Sequence, residues 1–303
     1  MKCCVVVCLC IILHSFSVGA QSAVQSFLTP SDSLHIPRRN AVVIAEASIG
    51  GLTLIGLNTL WYSDYKRSKF HTINDNQEWF QLDKLGHAFS GYQLGRLGAE
   101  TLKWSGVREK NRLLYGGTLG FSFLTAVEIL DSFSEEWGFS WGDFTANTAG
   151  AGLFIGQELL WDEQRIALKY SFHQTKYAAL NPTKLGHGLT EEFLKDYNGQ
   201  TYWLSLNLYS FFKESTLPEW LNLAVGYGAD GMLAGTNNVQ DLKGFHQKRY
   251  AQYYLSLDLD LTKIKTNSAL LRTLFSVFNS VKVPLPTLEF TSENGLKCYP
   301  FFF

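Results

Sequence analysis

Three short strings in the middle of the chain hold the residue types that can do chemistry. Asp83-Lys84-Leu85-Gly86-His87 sets a carboxylate and an imidazole four residues apart. On a helix that spacing puts both on one face, and Ser90 continues it. Thr118, Ser122, Thr125, Glu128 and Asp131 form a second stripe at helical spacing. In Ser140-Trp141-Gly142-Asp143-Phe144-Thr145-Ala146-Asn147, Asp143 and Asn147 again stand four apart. Three largely apolar helices thus each carry one narrow polar stripe. Burying such stripes singly is costly, but facing one another they satisfy each other's hydrogen bonds. The expected cluster is Asp83, Lys84, His87, Glu128, Asp131, Ser140, Asp143 and Asn147.

That set of side chains supports several chemistries. A hydrogen-bonded network that fixes helix register is one, and a seat for a lipid or glycan head group is another. Carboxylates with one imidazole also suit a divalent metal such as Zn, Mn or Fe(II), with Asp83, His87, Glu128 and Asp143 as candidate ligands. Crowded carboxylates raise one another's pKa, which acid/base catalysis needs. One histidine among several carboxylates does not choose between these, and no residue is assigned a catalytic role. The chain has no GxSxG, no Walker loop and no GxGxxG after a strand. The leading expectation is a non-enzymatic, membrane-associated envelope protein whose polar core serves structure or head-group binding. The rival is a metal-assisted hydrolase of an envelope lipid or glycan. A third reading makes the C-terminal half a component of a small outer-membrane channel.

The elements that must position these residues read clearly. Helices are expected over 80–103, 111–132 and 142–160. Glycines recur along them: Gly91, Gly95 and Gly98; Gly116, Gly117 and Gly120; Gly150, Gly152 and Gly156. Each glycine costs a helix about 1 kcal/mol against alanine, so the repeats point to close helix–helix approach. Residues 41–61 are almost wholly apolar, broken by Glu46 and Asn58 and closed by Trp61, Tyr62 and Tyr65. Their length suits either a bilayer span or a core helix. From about 165 the period changes to two. Ile166, Leu168, Tyr170 and Phe172 alternate with polar or small residues, as do Tyr202 to Leu208, Leu221 to Tyr227, and Tyr253 to Leu261. Weaker strands fall near 283–290 and 296–303, after an amphipathic helix at 268–279. The fold class expected is α+β, a glycine-rich helical bundle followed by an antiparallel β-sheet or partial barrel. The boundaries are 1–20 for a signal peptide, 21–40 for a flexible segment, 41–162 for the bundle and 163–303 for the β-rich region.

Composition sets the compartment. Lys2, an uncharged apolar run to Leu13 and the small-residue site Val18-Gly19-Ala20 form a secretory signal peptide. Four of the 5 cysteines precede that cut, so Cys298 has no intrachain partner in the exported chain and a cysteine zinc site is excluded. No cysteine stands at the cut, so lipid attachment there is not expected. The net charge of −1 gives no basis for a nucleic-acid partner. Aromatic residues make up 15% and charged residues 17%, against an average near ~25% charged. That surface suits contact with a membrane or an envelope lipid or glycan. A mean hydropathy of −0.04 argues against a polytopic helical transporter. Oligomeric state is not readable. The aromatic terminus Tyr299-Pro300-Phe301-Phe302-Phe303 resembles the ends of outer-membrane barrel proteins, but six strands fall short of the eight in the smallest single-chain barrels.

The order Asp83-Lys84-x-x-His87, Glu128-Ile129-Leu130-Asp131 and Ser140-x-x-Asp143-x-x-x-Asn147-x-x-Gly150 resembles a bacterial family of unknown function that contains YfiM-like predicted periplasmic lipoproteins, in its Bacteroidetes-type version. More distantly it resembles VanZ-like membrane proteins, which are linked to glycopeptide resistance. The likeness covers about 80–160. It implies a location in the periplasm or outer membrane of a Gram-negative envelope and supplies no mechanism. Lys184-Leu185-Gly186-His187 repeats part of the first string, but Thr183 stands where Asp83 would, and the echo reads as coincidence.

Overall fold

The computed structural model describes residues 23–236 and 248–302. The expected signal peptide and the terminal Phe303 lie outside them. Helix α1 runs Ile36–Gly56, α2 Leu82–Trp104, α3 Leu119–Asp131 and α4 Trp141–Trp161, with α5 at Ala269–Phe278. Two short strands, β1 (Thr72–Ile73) and β2 (Phe139–Ser140), pair in parallel beside the helices. The remaining strands are β3 (Ile166–Phe172), β4 (Gln200–Asn207), β5 (Leu221–Asp230), β6 (Tyr250–Leu259), β7 (Leu285–Thr291) and β8 (Gly295–Phe302). They form one antiparallel sheet in sequence order. The fold is α+β, helices first and sheet second.

Helix α1 starts five residues before the apolar run because Pro37 is preset for a first helical turn and His35 caps it, accepting from Arg38 N. The stretch before it, expected as a flexible segment, has a short helix at 23–28. It is tied down where Trp104 Nε1 donates to Phe27 O and the Arg38 guanidinium lies 4.5 Å from the Trp104 ring. Ile36–Thr59 is long and apolar enough to cross a bilayer. Within α1 only Val42 is buried, while Val43, Ile44, Ile49, Leu52 and Ile55 are exposed. Glu46 turns inward instead and accepts from Thr101 Oγ1 at 2.8 Å.

Helix α2 is the centre of the bundle and packs against α3 and α4. Backbone meets backbone there. A Cβ at Gly95 would lie 2.5 Å from Gly117 O, and one at Gly150 would lie 2.0 Å from Ala88 O. Any larger residue would push the helices apart. Gly152 and Gly156 have open space around them and take no part in that packing. Tyr92, Ala99, Leu113 and Phe154 fill the remaining core, with Leu168 of β3 against them.

The sheet curls. Tyr170 of β3 exchanges backbone bonds with the segment leading into β7, Tyr170 N to Ser280 O at 3.0 Å and Lys282 N to Tyr170 O at 2.9 Å. Its concave face is polar. Lys169 and Asp258 pair at 2.8 Å with neither side chain exposed. Ser205 Oγ donates to Asp258 Oδ2 at 2.6 Å, Asn222 Nδ2 to Ser205 Oγ at 2.9 Å, and Asn207 Nδ2 to Asn222 Oδ1 at 2.8 Å. Trp203, Ala224 and Tyr254 share this face in one small cluster with Phe302, and the leucines and valines of β4–β6, with Leu288 of β7, point the other way. Period-two alternation is the same whichever face is inside, so this choice is visible only in the fold.

Candidate functional site

The polar residues of α2, α3 and α4 meet at one end of the bundle. Asp83 and Lys84 lie in the first turn of α2, Glu128 and Asp131 in the last turn of α3, and Asp143 in the first turn of α4. Two local devices aim them. Ser140 caps α4, its Oγ accepting from Asp143 N at 3.1 Å. Its own backbone N–H donates to Glu128 Oε2 at 3.1 Å, so one residue anchors the Glu128 carboxylate and the backbone of Asp143. Ahead of α2, Trp79, Phe80 and Gln81 all sit in the left-handed region, with φ of 47°, 54° and 63°. Each such residue costs about 1–2 kcal/mol, and contacts from the β half hold the turn. Trp79 N donates to Gly235 O at 3.0 Å, Tyr227 Oη donates to Phe80 O at 3.1 Å, and the Trp79 and Tyr197 rings lie 5.1 Å apart.

Lys84 is the hub of one half of the site. Its ammonium lies 2.7 Å from Asp75, 2.9 Å from Asp83 and 3.1 Å from Asp143. Ser140 Oγ also donates to Asp75 Oδ1 at 2.8 Å. Gly142 makes room, since a Cβ there would meet the Lys84 side chain at 2.9 Å. Burial opposes charge on Lys84, yet the surrounding carboxylates hold its ammonium above the usual lysine range. Burial likewise works against Asp75, but hydrogen bonds from Lys84 and Ser140 keep it below the usual carboxylate range.

His87 is the centre of the other half. Its Nδ1 lies 3.0 Å from Asn147 Oδ1, a pairing made by the tautomer that has its proton on Nδ1. In the neutral ring Nε2 then keeps its lone pair, 3.7 Å from Glu128 Oε1. A ring nitrogen of His87 and one carboxylate oxygen each of Glu128 and Asp143 lie within 4.8 Å of one another. Each is anchored on its far side: His87 by Asn147, Glu128 by the Ser140 N–H and Asp143 by Lys84. Asp75, Asp83 and Asp143 also bring oxygens within 4.8 Å, but the Lys84 ammonium already sits among them.

The charges do not balance. Burial, then the Asp143 charge, pushes Asp83 up to about 6 and Glu128 up to about 8. Burial also raises Asp131 to about 6. Asp83 Oδ1 and Asn147 Nδ2 are buried with no hydrogen-bond partner. Asp131 stands at the edge of the cluster, where Tyr62 Oη donates to it.

A cavity of about 230 Å³ opens beside Asp83, His87 and Ser90. Its other walls come from the β half: Tyr170, Phe193, Tyr197 and Tyr202. Gly86 permits this closure, because a Cβ there would come 2.8 Å from Tyr202 Oη. Asp75 and these aromatic walls escaped the sequence reading. Asp75 sits in a loop without periodicity, and the aromatic residues arrive through sheet–helix docking. The echo at Lys184 to His187 is remote in character. Lys184 forms an exposed pair with Glu136, and His187 is an exposed loop residue.

With this geometry in place, the comparisons with known proteins become informative. Residues 73–156 match the model of a family described as predicted periplasmic lipoprotein (DUF2279). That span holds the Asp83 to His87 string, both α3 carboxylates and the α4 string. The description supports an exported protein of the periplasm. No curated protein and no solved structure matches the chain.

Proposed function

We propose that the protein holds a divalent metal at His87, Glu128 and Asp143 and uses it to hydrolyse an ester or phosphoester of an envelope lipid or glycan. The observation that carries this reading is the convergence of three donors, each fixed from behind by a partner that leaves its other donor atom free. Ligands oriented through such outer contacts are characteristic of metal centres. One imidazole and two carboxylates suit zinc or manganese. Three protein ligands leave a position for water, and a bound cation draws that water's pKa toward ~7. The same positive charge answers the excess of crowded carboxylates.

The cavity supplies the place for the substrate's polar group. Asp83 lines it and is ready to take the proton from the attacking water, while Lys84 holds Asp83 and Asp143 in place. Aromatic walls suit a sugar ring or the base of an acyl chain. The Lys84 cluster with Asp75 favours a second, purely structural role for its own half of the site.

The test is turnover of chromogenic carboxyl and phosphate esters by protein loaded with Zn²⁺ or Mn²⁺. Metal-dependent turnover is expected, cut at least 100-fold in Asp83→Asn with metal content unchanged. Stoichiometric metal with no turnover of either ester class would overturn the hydrolytic reading.

A further inference from the structure

The β half is largely polar inside, around one cluster of Trp203, Ala224 and Tyr254, and apolar outside. Cross-strand neighbours line up in rows on the outer face. Tyr202, Tyr227, Tyr253 and Phe290 form an aromatic row, in which Tyr202 and Tyr227 pack against the bundle and Tyr253 and Phe290 are exposed. Leu204, Val225, Leu255 and Leu288 form the next, and Leu206, Leu223 and Leu257 the one after. Beyond that third row Phe211, Phe212 and Trp220 are exposed. The exposed aliphatic residues therefore lie between Tyr253 and Phe290 at one end and Phe211, Phe212 and Trp220 at the other. Val225, Leu255, Leu257 and Leu288 are each at least 40% exposed, whereas Ser256, Asp258, Thr287 and Glu289 between them are buried.

The charges follow the same division. None of the outward rows contains a charged side chain. Lys265 pairs with Glu219 past the Trp220 end, and Lys248 pairs with Glu293 past the Phe290 end. Helix α5 repeats the inversion. It exposes Leu270, Leu271, Leu274 and Val277 and turns Ser276 toward Arg96 and Glu100 of α2, at 2.7 and 2.5 Å.

We infer that the outer face of β4–β7, together with the apolar face of α5, is covered by the acyl chains of a lipid bilayer. The charge distribution complements that occupant, with an uncharged aliphatic band between two charged ends. Aromatic rings at the two borders of such a band are the mark of a membrane interface. A contiguous exposed apolar face of this kind marks a surface that is covered by a partner or a membrane. In β4–β7 the ladder bonds run to a strand on each side and the polar side chains bond to one another inside, so the outward face of these strands needs no water. This inference rests on the β half alone and holds whether or not the bundle site binds metal.

The test places nitroxide labels on single cysteines in the full chain, with its native cysteines replaced by serine, reconstituted in phosphatidylethanolamine/phosphatidylglycerol vesicles. Val225→Cys, Leu255→Cys and Leu288→Cys report the band, and Glu214→Cys and Glu293→Cys report beyond its ends. Power-saturation spectroscopy then compares collision with oxygen, which concentrates in lipid, and with a water-soluble nickel chelate. Band labels are expected to favour oxygen at least fivefold over the end labels. Equal nickel access at band and end labels would put the face in water. Low access to both reagents at the band would put protein, such as a second copy, there instead. Either result overturns the inference. Circular dichroism of each labelled variant confirms that it is folded, and an unfolded variant is replaced by its exposed neighbour in the band, Leu204→Cys or Leu257→Cys.

Discussion

The molecule has two polar interiors, and they are built on opposite principles. Inside the sheet, Lys169 and Asp258 pair at 2.8 Å, and Ser205, Asn222 and Asn207 extend the network. Lys169 also donates to Leu259 O, and the buried Lys282 donates to Val283 O beside Asp258, with burial lowering its ammonium to about 8. At the end of the bundle, five carboxylates crowd one lysine and one histidine, and Asp83 Oδ1, Thr125 Oγ1, Asp143 Oδ1 and Asn147 Nδ2 are buried without a hydrogen-bond partner. A satisfied network specifies a structure; an unbalanced one is poised for something that brings charge or a hydrogen bond. The sheet interior is thus structural, and the bundle end is the functional candidate.

The contrast is sharpest for substitutions that strip a partner. Asp258→Asn leaves Lys169 buried and charged, and breaking such a pair costs about 3–5 kcal/mol. Chemical denaturation of the variant is expected to show that loss, with metal binding unchanged. His87→Ala should do the reverse, lowering metal affinity by at least 100-fold while stability of the metal-free protein changes little. Isothermal titration and denaturation together separate the two cases. A His87→Ala loss as large as that of Asp258→Asn would erase the distinction between the interiors.

The pH dependence of the metal-free protein gives a second separation. Glu128 is raised from 4.5 to about 8 in the folded state. A raised carboxyl contributes stability that is fully present below its unfolded pKa and is lost as pH rises through the folded value. Thermal stability should therefore fall between pH 4.5 and 8. Glu128→Gln should flatten that fall and make the metal-free protein more stable at pH 8. Bound metal should flatten it as well, because the metal holds the carboxylate ionised.

Gly86→Ala is expected to have a smaller effect, costing about 1–3 kcal/mol as the added methyl displaces Tyr202. Denaturation reads that cost, and a lower affinity for esters reads the changed cavity wall. The smallest effect belongs to the echo of the motif. Lys184→Ala breaks an exposed pair with Glu136 and should change stability by under ~0.5 kcal/mol. Lys84→Ala, in the same four-residue string, should cost several times more.

Much of this was legible in the residues. The four-residue spacings Asp83–His87 and Asp143–Asn147 are local, and helical geometry alone puts each pair on one face. The strand alternation from Ile166 to Leu261 is local too. What the sequence could not show depends on long-range docking. Asp75 enters the cluster through the Lys84 ammonium, and Tyr197 and Tyr202 reach the cavity only when the sheet closes over α2. The choice of inner face was equally hidden, since Tyr254-Leu255-Ser256-Leu257 reads the same for a sheet packed on its leucines as for one packed on its serine. The start of α1 was within reach: Pro37 after His35 is a helix-opening pattern hidden by the Ser-rich stretch before it.

The most direct test of the bundle site is metal content. Plasma mass spectrometry is applied to protein purified without chelator, beside the His87→Ala/Asp143→Ala double variant, with circular dichroism to show that both are folded. Near one equivalent of zinc or manganese in the natural chain, lost in the folded variant, is the expected result. No metal in either protein, even after incubation with both ions, together with a large loss of stability in the variant, would contradict it and leave the cluster as a second structural network.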